Sequence, residues 1–424
     1  MNQATANIEA DSLPLDKPMP VSGQNVSLWF LFKTFLGIGS ISFGGFMALI
    51  SVIETRIVKQ RKLMEHSEML DAISLANLLP GPQAVNVVAF VGYRLRGPIG
   101  AITSVIAVLV PTFALILILS HFYFIYGEIL SVKKIFQGFL PAVTAIVIVV
   151  ALRLAGKTIK GWREVMLFLL ACAVMLLAPL EYKIYATLSI IVAFGFVGYW
   201  LFQLQEKATK PTTEHRPISY MKLIAVTVSL TTLVALWFTP LSLDKNSLAF
   251  ITLTFASMSL MLFGGGYVFI PIIGSVVVLQ YGWVTQQEFT DGIALGQVTP
   301  GPILISAAFI AFKVHGWLGA LLATIAIFTP PAILMVTASN ALSYIQGSTI
   351  MRAAMHGIHC GVIGLIAVAS LILLKASYPE WPFSINQAWP STLILVGSLF
   401  ALIRLKLDIL WVILASGLLG YLLY

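Results

Sequence analysis

Apolar stretches of about 20 residues, each long enough to cross a hydrocarbon core roughly 30 Å thick, follow one another along this chain with short polar joints between them. The pattern predicts helical spans near 28–53, 70–93, 98–126, 135–155, 163–180 and 182–202, one more at 221–240, and then 247–279, 284–312, 316–346, 350–374, 391–403 and 407–423. The widest polar interruption is QLQEKATKPTTEHRPISY, 203–220, which holds Pro211 and Pro217 and divides the chain near its middle. Residues 1–26 are polar, carry Pro14, Pro18 and Pro20, and lack the apolar core of a signal peptide; they read as a disordered cytoplasmic tail. The expectation is an all-α polytopic membrane protein.

The polar and special positions repeat. Pro80-Gly81-Pro82 returns 220 residues later as Pro300-Gly301-Pro302, and Phe43-Gly44-Gly45 returns as Phe263-Gly264-Gly265. Glu68 and Asp71 return as Glu288 and Asp291. One residue is then lost, so that Gly97, Gly100, Ala101, Pro111 and Gly138 match Gly316, Gly319, Ala320, Pro330 and Gly357 at an offset of 219. Unrelated apolar sequences coincide at Leu or Val by composition, but not at Gly, Pro and acids in constant register. The chain is therefore expected to hold a first repeat over 27–202, a polar linker with one connecting span over 203–246, and a second repeat over 247–424. Six candidate segments per repeat and one span between them set the repeats in opposite orientation, the inverted topology common in secondary transporters. That parity survives if two elements per half are re-entrant and fails if one is. Arg94, Arg96, Arg153, Lys157, Lys160, Arg163, Lys207, Lys210 and Arg216 fall inside if the N-terminus is cytoplasmic, which agrees with the positive-inside rule.

A Pro-Gly-Pro unit inside an apolar run is costly. Each backbone group it frees within a bilayer costs several kcal/mol unless it is buried in protein or lines a polar cavity. Such a unit ends one half-helix and starts another, with Pro82 suited to the first helical position, where its missing donor costs nothing. The free N–H groups of the next turn, from Gln83 onward, then form an anion site at the positive end of a helix dipole. The polar neighbours are Asn77, Gln83 and Asn86 in the first copy and Gln297, Thr299 and Ser306 in the second, neutral groups suited to the acceptors of an oxyanion. The candidate binding set is thus Asn77, Pro80, Gly81, Pro82, Gln83, Asn86, Gln297, Thr299, Pro300, Gly301, Pro302 and Ser306. A plain kink is the alternative. The Phe-Gly-Gly elements are a second break, read as close helix packing or as an unwound turn lining a cavity.

Composition agrees. Of 424 residues, 59% are hydrophobic and 10% charged, against about 25% charged in soluble domains. The net charge of +8 fits basic cytoplasmic loops, and without a compact basic patch interleaved with aromatics it excludes nucleic acid as a partner. Cys172 and Cys360 both lie in apolar segments and offer neither a disulfide framework nor a metal knuckle.

The paired Phe-Gly-Gly and Pro-Gly-Pro elements, with Asn86 following the first, resemble the chromate ion transporter family in its long, two-domain form, over residues 28–423. The resemblance implies efflux of chromate from the cytoplasm across the inner (plasma) membrane, driven by the membrane potential or an ion gradient and conferring chromate resistance, with sulfate as a chemical relative. It implies no cofactor. The partners are then chromate or sulfate as cargo, the lipid bilayer, and a second copy of the chain as a candidate for a homodimer. The copies depart from each other at Gln83 against Ile303 and Asn86 against Ser306, so a symmetric cradle is not expected.

A dianion needs positive potential along its path. Arg94 and Arg96 follow the first broken helix, and Lys313 and His315 hold the matching places in the second. They read as gate or vestibule groups, or as topology anchors and snorkelling side chains. Lys33 is a further candidate near a span end. Glu68 with Asp71, and Glu288 with Asp291, share a helix face at i, i+3. Thr285-Gln-Gln-Glu288 reads as a capping box, which leaves Asp71 and Asp291 as the candidates for ion coupling. His356, His359 and Cys360 cluster on one helix, but their first-half counterparts are Gln137, Leu140 and Pro141, and no metal site is expected. An intramembrane enzyme is the rival class. It would need a converging nucleophile, base or metal set, and the sequence has no HExxH and no GxSxG-like elbow.

Overall fold

The computed structural model describes residues 26–43, 45–179, 182–207, 244–263, 266–339, 349–378 and 385–424. The polar tail and most of the linker with its connecting span lie outside the described residues. Everything described is helix, turn or loop, with no strand among it.

The first half runs α1 (Leu28–Ile41), α2 (Gly45–Ile53) continuing as a π-helix (Glu54–Gln60), α3 (His66–Leu78), α4 (Gln83–Tyr126), α5 (Leu130–Thr158), α6 (Trp162–Leu177) and α7 (Lys183–Lys207). The second half repeats the order. α8 (Leu248–Ser259) is followed by a short 3₁₀ turn (Gly266–Val268), α9 (Phe269–Gly274) and a second π-helix (Ser275–Gln280). Then come α10 (Gln286–Val298), a 3₁₀ turn (Ile303–Ile305) leading into α11 (Ser306–Ser339), α12 (Thr349–Ala376), α13 (Ile385–Ile403) and α14 (Ile409–Leu423). Among the described residues, five helices are long and apolar enough to cross a bilayer, lying within α4, α5, α7, α11 with its leading turn, and α12.

Local chemistry repeats with the helices. Ser27 and Ser247, 220 residues apart, each cap a helix through Oγ, accepting from Phe30 N and Phe250 N at 3.2 Å; such a cap contributes about 1 kcal/mol. Glu68 and Glu288 each close a capping box, with Glu65 and Thr285 respectively. The cap expected for Glu288 is thus present, and Glu68 makes an equivalent one. α4 and α11 bend at matching points, Arg96–Gly97 and His315–Gly316, where the glycines take φ of +63° and +57°. At each elbow the two arms touch: a Cβ on Gly92 would meet the Gly100 carbonyl oxygen at 2.5 Å, and one on Gly319 would meet that of Ala311 at 2.5 Å.

The first two candidate spans of each half are not single crossings. The Arg61 guanidinium stacks on the Phe30 ring at 4.6 Å, whereas a straight helix would hold them about 45 Å apart. α1 and the α2–π segment therefore fold back on each other, with Ser42 and Phe43 at the turn. Phe250 and Tyr281, the residues 220 further on, close the second copy with ring centroids 5.1 Å apart. α10 and the first arm of α11 form another hairpin. Lys313 pairs with Glu288 near its open end, a Cβ on Gly292 would meet Phe309 at 2.5 Å, and Pro300-Gly301-Pro302 is the tip. α3 packs on α4 around Pro80-Gly81-Pro82 in the same order. Each half thus contributes two hairpins of half-length helices.

The mouths of these hairpins lie at opposite ends of the second arm of α4. At its start, Arg96 donates to the Val26 carbonyl beside the start of α1. At its end, the Tyr123 hydroxyl donates to Asp291 Oδ2 on α10 at 2.7 Å. The halves also exchange their seventh helices. α14 packs on α5, with Gly420 against Gly138, and α7 packs on α12, with Gly198 against Gly357. A Cβ on Gly138 would lie 2.9 Å from the Gly420 Cα, and one on Gly198 would lie 2.6 Å from the Gly357 Cα. Helix axes approach this closely only where side chains are absent.

Candidate functional site

The four hairpin tips meet in reciprocal pairs. Gly81 N–H donates to the Leu262 carbonyl at 2.8 Å, and Gly301 N–H donates to the Ser42 carbonyl at 2.9 Å. Leu262 lies 220 residues beyond Ser42, so each Pro-Gly-Pro tip docks on the residue that precedes the Phe-Gly-Gly sequence of the other half. The flanks match too. Gly81 abuts Pro331 and Gly301 abuts Thr112, and 112 and 331 are equivalent positions at an offset of 219. Both glycines take positive φ, +107° and +122°, a region reserved in practice for glycine. The Thr112 hydroxyl also donates to the Pro300 carbonyl.

Behind each tip a helix starts, and the two starts differ. Pro82 is the N-cap of α4, with φ −71° and ψ 94° and no side-chain cap bond. It sits one position earlier than expected, and Gln83 is the first helical residue. The first intrahelical donor is Asn86 N–H, to the Pro82 carbonyl at 3.0 Å. The N–H groups of Gln83, Ala84 and Val85 thus have no acceptor within the helix, and all three residues are buried. In the second copy a 3₁₀ turn tightens the start, Ile305 N–H bonds the Pro302 carbonyl at 3.1 Å, and Ser306 Oγ turns back to the Ile303 carbonyl at 2.9 Å. The anion-binding geometry is therefore better developed at Gln83 than at Ile303.

Buried amides flank the tips. Asn86 is fully buried and donates Nδ2 to the Pro80 carbonyl at 3.2 Å, which clamps the turn, while its Oδ1 has no partner among the described residues. Gln297 is 5% exposed; its Oε1 faces the Tyr267 hydroxyl at 3.5 Å and its Nε2 has no partner among the described residues. Thr299 is buried and bonds the Gly296 carbonyl at 2.9 Å. Asn77, the counterpart of Gln297, is exposed on α3 instead. The structure gathers Pro80, Gly81, Pro82, Gln83, Asn86, Gln297, Thr299, Pro300, Gly301, Pro302 and Ser306 around the tips, and leaves Asn77 outside that buried group. Ser42, Leu262, Thr112 and Tyr267 join the group without having been picked out from sequence. The repeat register pairs Ser42 with Leu262, but which half docks on which tip is a non-local fact.

The charged candidates lie at the mouths. Arg94 is exposed and stacks on Phe90 at 5.4 Å, and Arg96 is tied to Val26. Lys313 pairs with Glu288 and His315 bonds the Asn246 carbonyl. Burial alone would raise the Glu288 carboxyl, but hydrogen bonds from Lys313 and the Thr285 backbone hold it below the usual glutamate range. Lys33 reaches over Trp29 at 4.9 Å, as a snorkelling side chain does. Asp291 is 1% exposed and accepts from the Tyr123 hydroxyl and, at 2.9 Å, from Gln287 Nε2, whereas Asp71 is half-exposed on α3. His356 faces Glu164 at 3.4 Å. No group of three His, Cys, Asp or Glu among the described residues is arranged to hold a metal.

A family model described as chromate transporter matches residues 29–199 and 249–421. The chain is 28% identical over 400 residues to an uncharacterized transporter of Methanocaldococcus jannaschii, covering 94% of this chain and 95% of that one. It is 28% identical over 404 residues to a chromate transport protein of Pseudomonas aeruginosa, covering 93% and 92%. A shorter relative, an uncharacterized transporter of Bacillus subtilis, is 28% identical over 190 residues, which is 91% of its own length but 43% of this chain. No solved structure matches the chain.

Proposed function

The chain belongs to the chromate transporter family, and from that premise we propose that it is a secondary transporter that exports chromate from the cytoplasm across the inner membrane and so confers chromate resistance. The reciprocal docking of the Pro-Gly-Pro tips on Leu262 and Ser42 of the opposite halves carries this reading. It supports a pseudo-two-fold centre with hairpin mouths at opposite ends of α4's second arm, the layout of an inverted repeat with alternating access. In this mechanism the dianion sits against the free N–H groups of Gln83, Ala84 and Val85, with Gln297 Nε2 donating from the other half. Asn86 holds the turn that aims those groups. Opening to one side parts Gly81 from Leu262, and opening to the other parts Gly301 from Ser42.

The membrane potential suffices as a driving force. Moving one charge through 100 mV is worth about 2.3 kcal/mol, so outward movement of a dianion down an inside-negative potential of that size gains about 4.6 kcal/mol. Asp291, buried without a cationic partner among the described residues and bonded to Tyr123 across the halves, is the candidate for proton coupling; Asp71, its half-exposed counterpart, is the secondary one. Arg94, Arg96 and Lys313 act in the vestibules. Neutral hydrogen-bonding groups select a tetrahedral dianion by shape and charge, so sulfate is expected to compete. The test is uptake of labelled chromate into sealed inside-out vesicles, with and without an imposed potential and with sulfate added. Potential-dependent uptake is the expected result. Absent uptake by folded protein in sealed vesicles would refute chromate as the cargo or export as the direction.

A further inference from the structure

Arg56 lies in the first π-helix, a distortion often found at functional positions. Its side chain is half-buried, and it turns inward across the first hairpin. A Cβ on Gly37 of α1 would lie 2.9 Å from its Nη1, so the absent side chain at Gly37 makes the space the guanidinium occupies. No hydrogen bond or ion pair engages that guanidinium among the described residues. The nearby acids are engaged elsewhere. Glu54 pairs with Lys59 at 3.1 Å and with His66 at 3.7 Å, while Glu65 and Glu68 close the cap of α3. A second guanidinium, Arg61, is held at the rim by the Phe30 ring.

The second half has no such arrangement. At offset 220, Arg56 becomes Val276, Arg61 becomes Tyr281 and Gly37 becomes Ser257. Val276 is fully buried, and Ser257 bonds back to its own helix at the Leu253 carbonyl. Two copies of one hairpin thus differ in both guanidinium groups and in the space to seat one of them. A half-buried guanidinium with no carboxylate is a ready anion site. Its fork matches the paired oxygens of a tetrahedral oxyanion, and it is less strongly hydrated than an ammonium.

We propose that Arg56, with Arg61 at the rim, is a capture site for the tetrahedral dianion at the mouth of the first repeat alone, and that this one-sidedness sets which face loads cargo efficiently. The inference rests on the oxyanion-transport reading and adds to it a loading step on the cytoplasmic side. Charges at a funnel-like mouth raise local anion concentration before the tips are reached.

The test measures initial rates of labelled chromate uptake against concentration in inside-out vesicles and, separately, in right-side-out vesicles, for wild type, Arg56→Gln, Arg56→Lys and Gly37→Ala. For Arg56→Gln the cytoplasmic-face KM is expected to rise about tenfold, equivalent to about 1.4 kcal/mol, with the maximal rate kept and the outer-face KM unchanged. Arg56→Lys is expected to lose less, and Gly37→Ala, which keeps the charge but takes its space, to shift the same KM in the same direction. An unchanged cytoplasmic-face KM overturns the proposal. So does an equal rise at both faces, or a fall in maximal rate alone, which are the marks of a structural role. If wild type takes up no chromate, the cargo reading fails by itself. Equilibrium binding of labelled sulfate to purified wild type and Arg56→Gln then decides the capture site: weaker binding by the variant supports it, and equal binding overturns it.

Discussion

Gly301→Ala tests whether the tips are interlocked as described. The residue sits at φ +122°, and strain of this kind in a non-glycine residue costs about 1–3 kcal/mol. The new Cβ would also fall well inside 3 Å of Thr112 Oγ1, with Thr112 Cβ and Cγ2 at 3.3 Å; overpacking of this sort costs about 1–3 kcal/mol. The sum, roughly 2–6 kcal/mol, is at the severe end for one methyl group. Thr112→Ala in the same chain removes Oγ1 and Cγ2, so it relieves the overlap but not the backbone strain, and a favourable coupling of about 1–3 kcal/mol is expected in the double mutant. Gly81→Ala is the contrasting case. Its Cβ would overlap Pro331 Cβ, an atom that Pro331→Ala retains, so that pair shows little rescue. Thermal unfolding in detergent, followed by reaction of a fluorogenic thiol reagent with the buried Cys360 in a Cys172→Ser background, is compared with wild type for the four single mutants and the two double mutants. A wild-type melting temperature for Gly301→Ala would refute the interlock, as would rescue of Gly81→Ala by Pro331→Ala equal to the rescue by Thr112→Ala.

Other expectations follow from the same geometry. Pro80→Ala combined with Pro82→Ala should abolish chromate uptake while leaving membrane insertion intact, checked by vesicle assay and membrane fractionation; normal uptake would leave only a kink. Asp291→Asn keeps an acceptor for Tyr123, so its melting temperature should stay near wild type while uptake loses any dependence on an imposed pH gradient. Lys313→Ala should cost less than about 1 kcal/mol, since exposed ion pairs contribute little, and melting curves would show it. The folded Glu288 carboxyl lies below its ordinary 4.5, so its stabilising contribution is complete above that value and fades as pH falls through the lower folded one; stability curves of wild type and Glu288→Gln should converge in acid.

Much of this architecture was legible in the residues. The constant offset at Gly, Pro and acidic positions predicted the correspondence of the two halves and paired Gly97 with Gly316, though not the elbows that the structure forms there. The Pro-Gly-Pro units predicted the ends of α3 and α10. Hydropathy did not separate a crossing helix from two half-length helices folded together, because both are about equally apolar; this is why 28–53 and 247–279 read as spans. The sign of the fold-back was Phe30 with Arg61 and Phe250 with Tyr281, pairs that mean nothing until the tip between them is bent. The docking of each tip on the other half is encoded by shape complementarity between distant residues, and no local pattern reports it. The inequivalence of the copies was legible at Gln83 and Ile303, whereas the different burial of Asn77 and Gln297 arises from their surroundings.

The exchange of seventh helices has a consequence for how the protein is made. α5 emerges early in synthesis, yet the groove that receives Gly420 stays empty until α14 is translated, long after the rest of the first half. α7 must likewise wait for α12. Neither half can finish packing by itself as it leaves the ribosome, so the last step of maturation is a joint one. A chain interrupted before α14 would leave the Gly138 face of α5 open to lipid or to quality-control proteases, and the two halves would be discarded together.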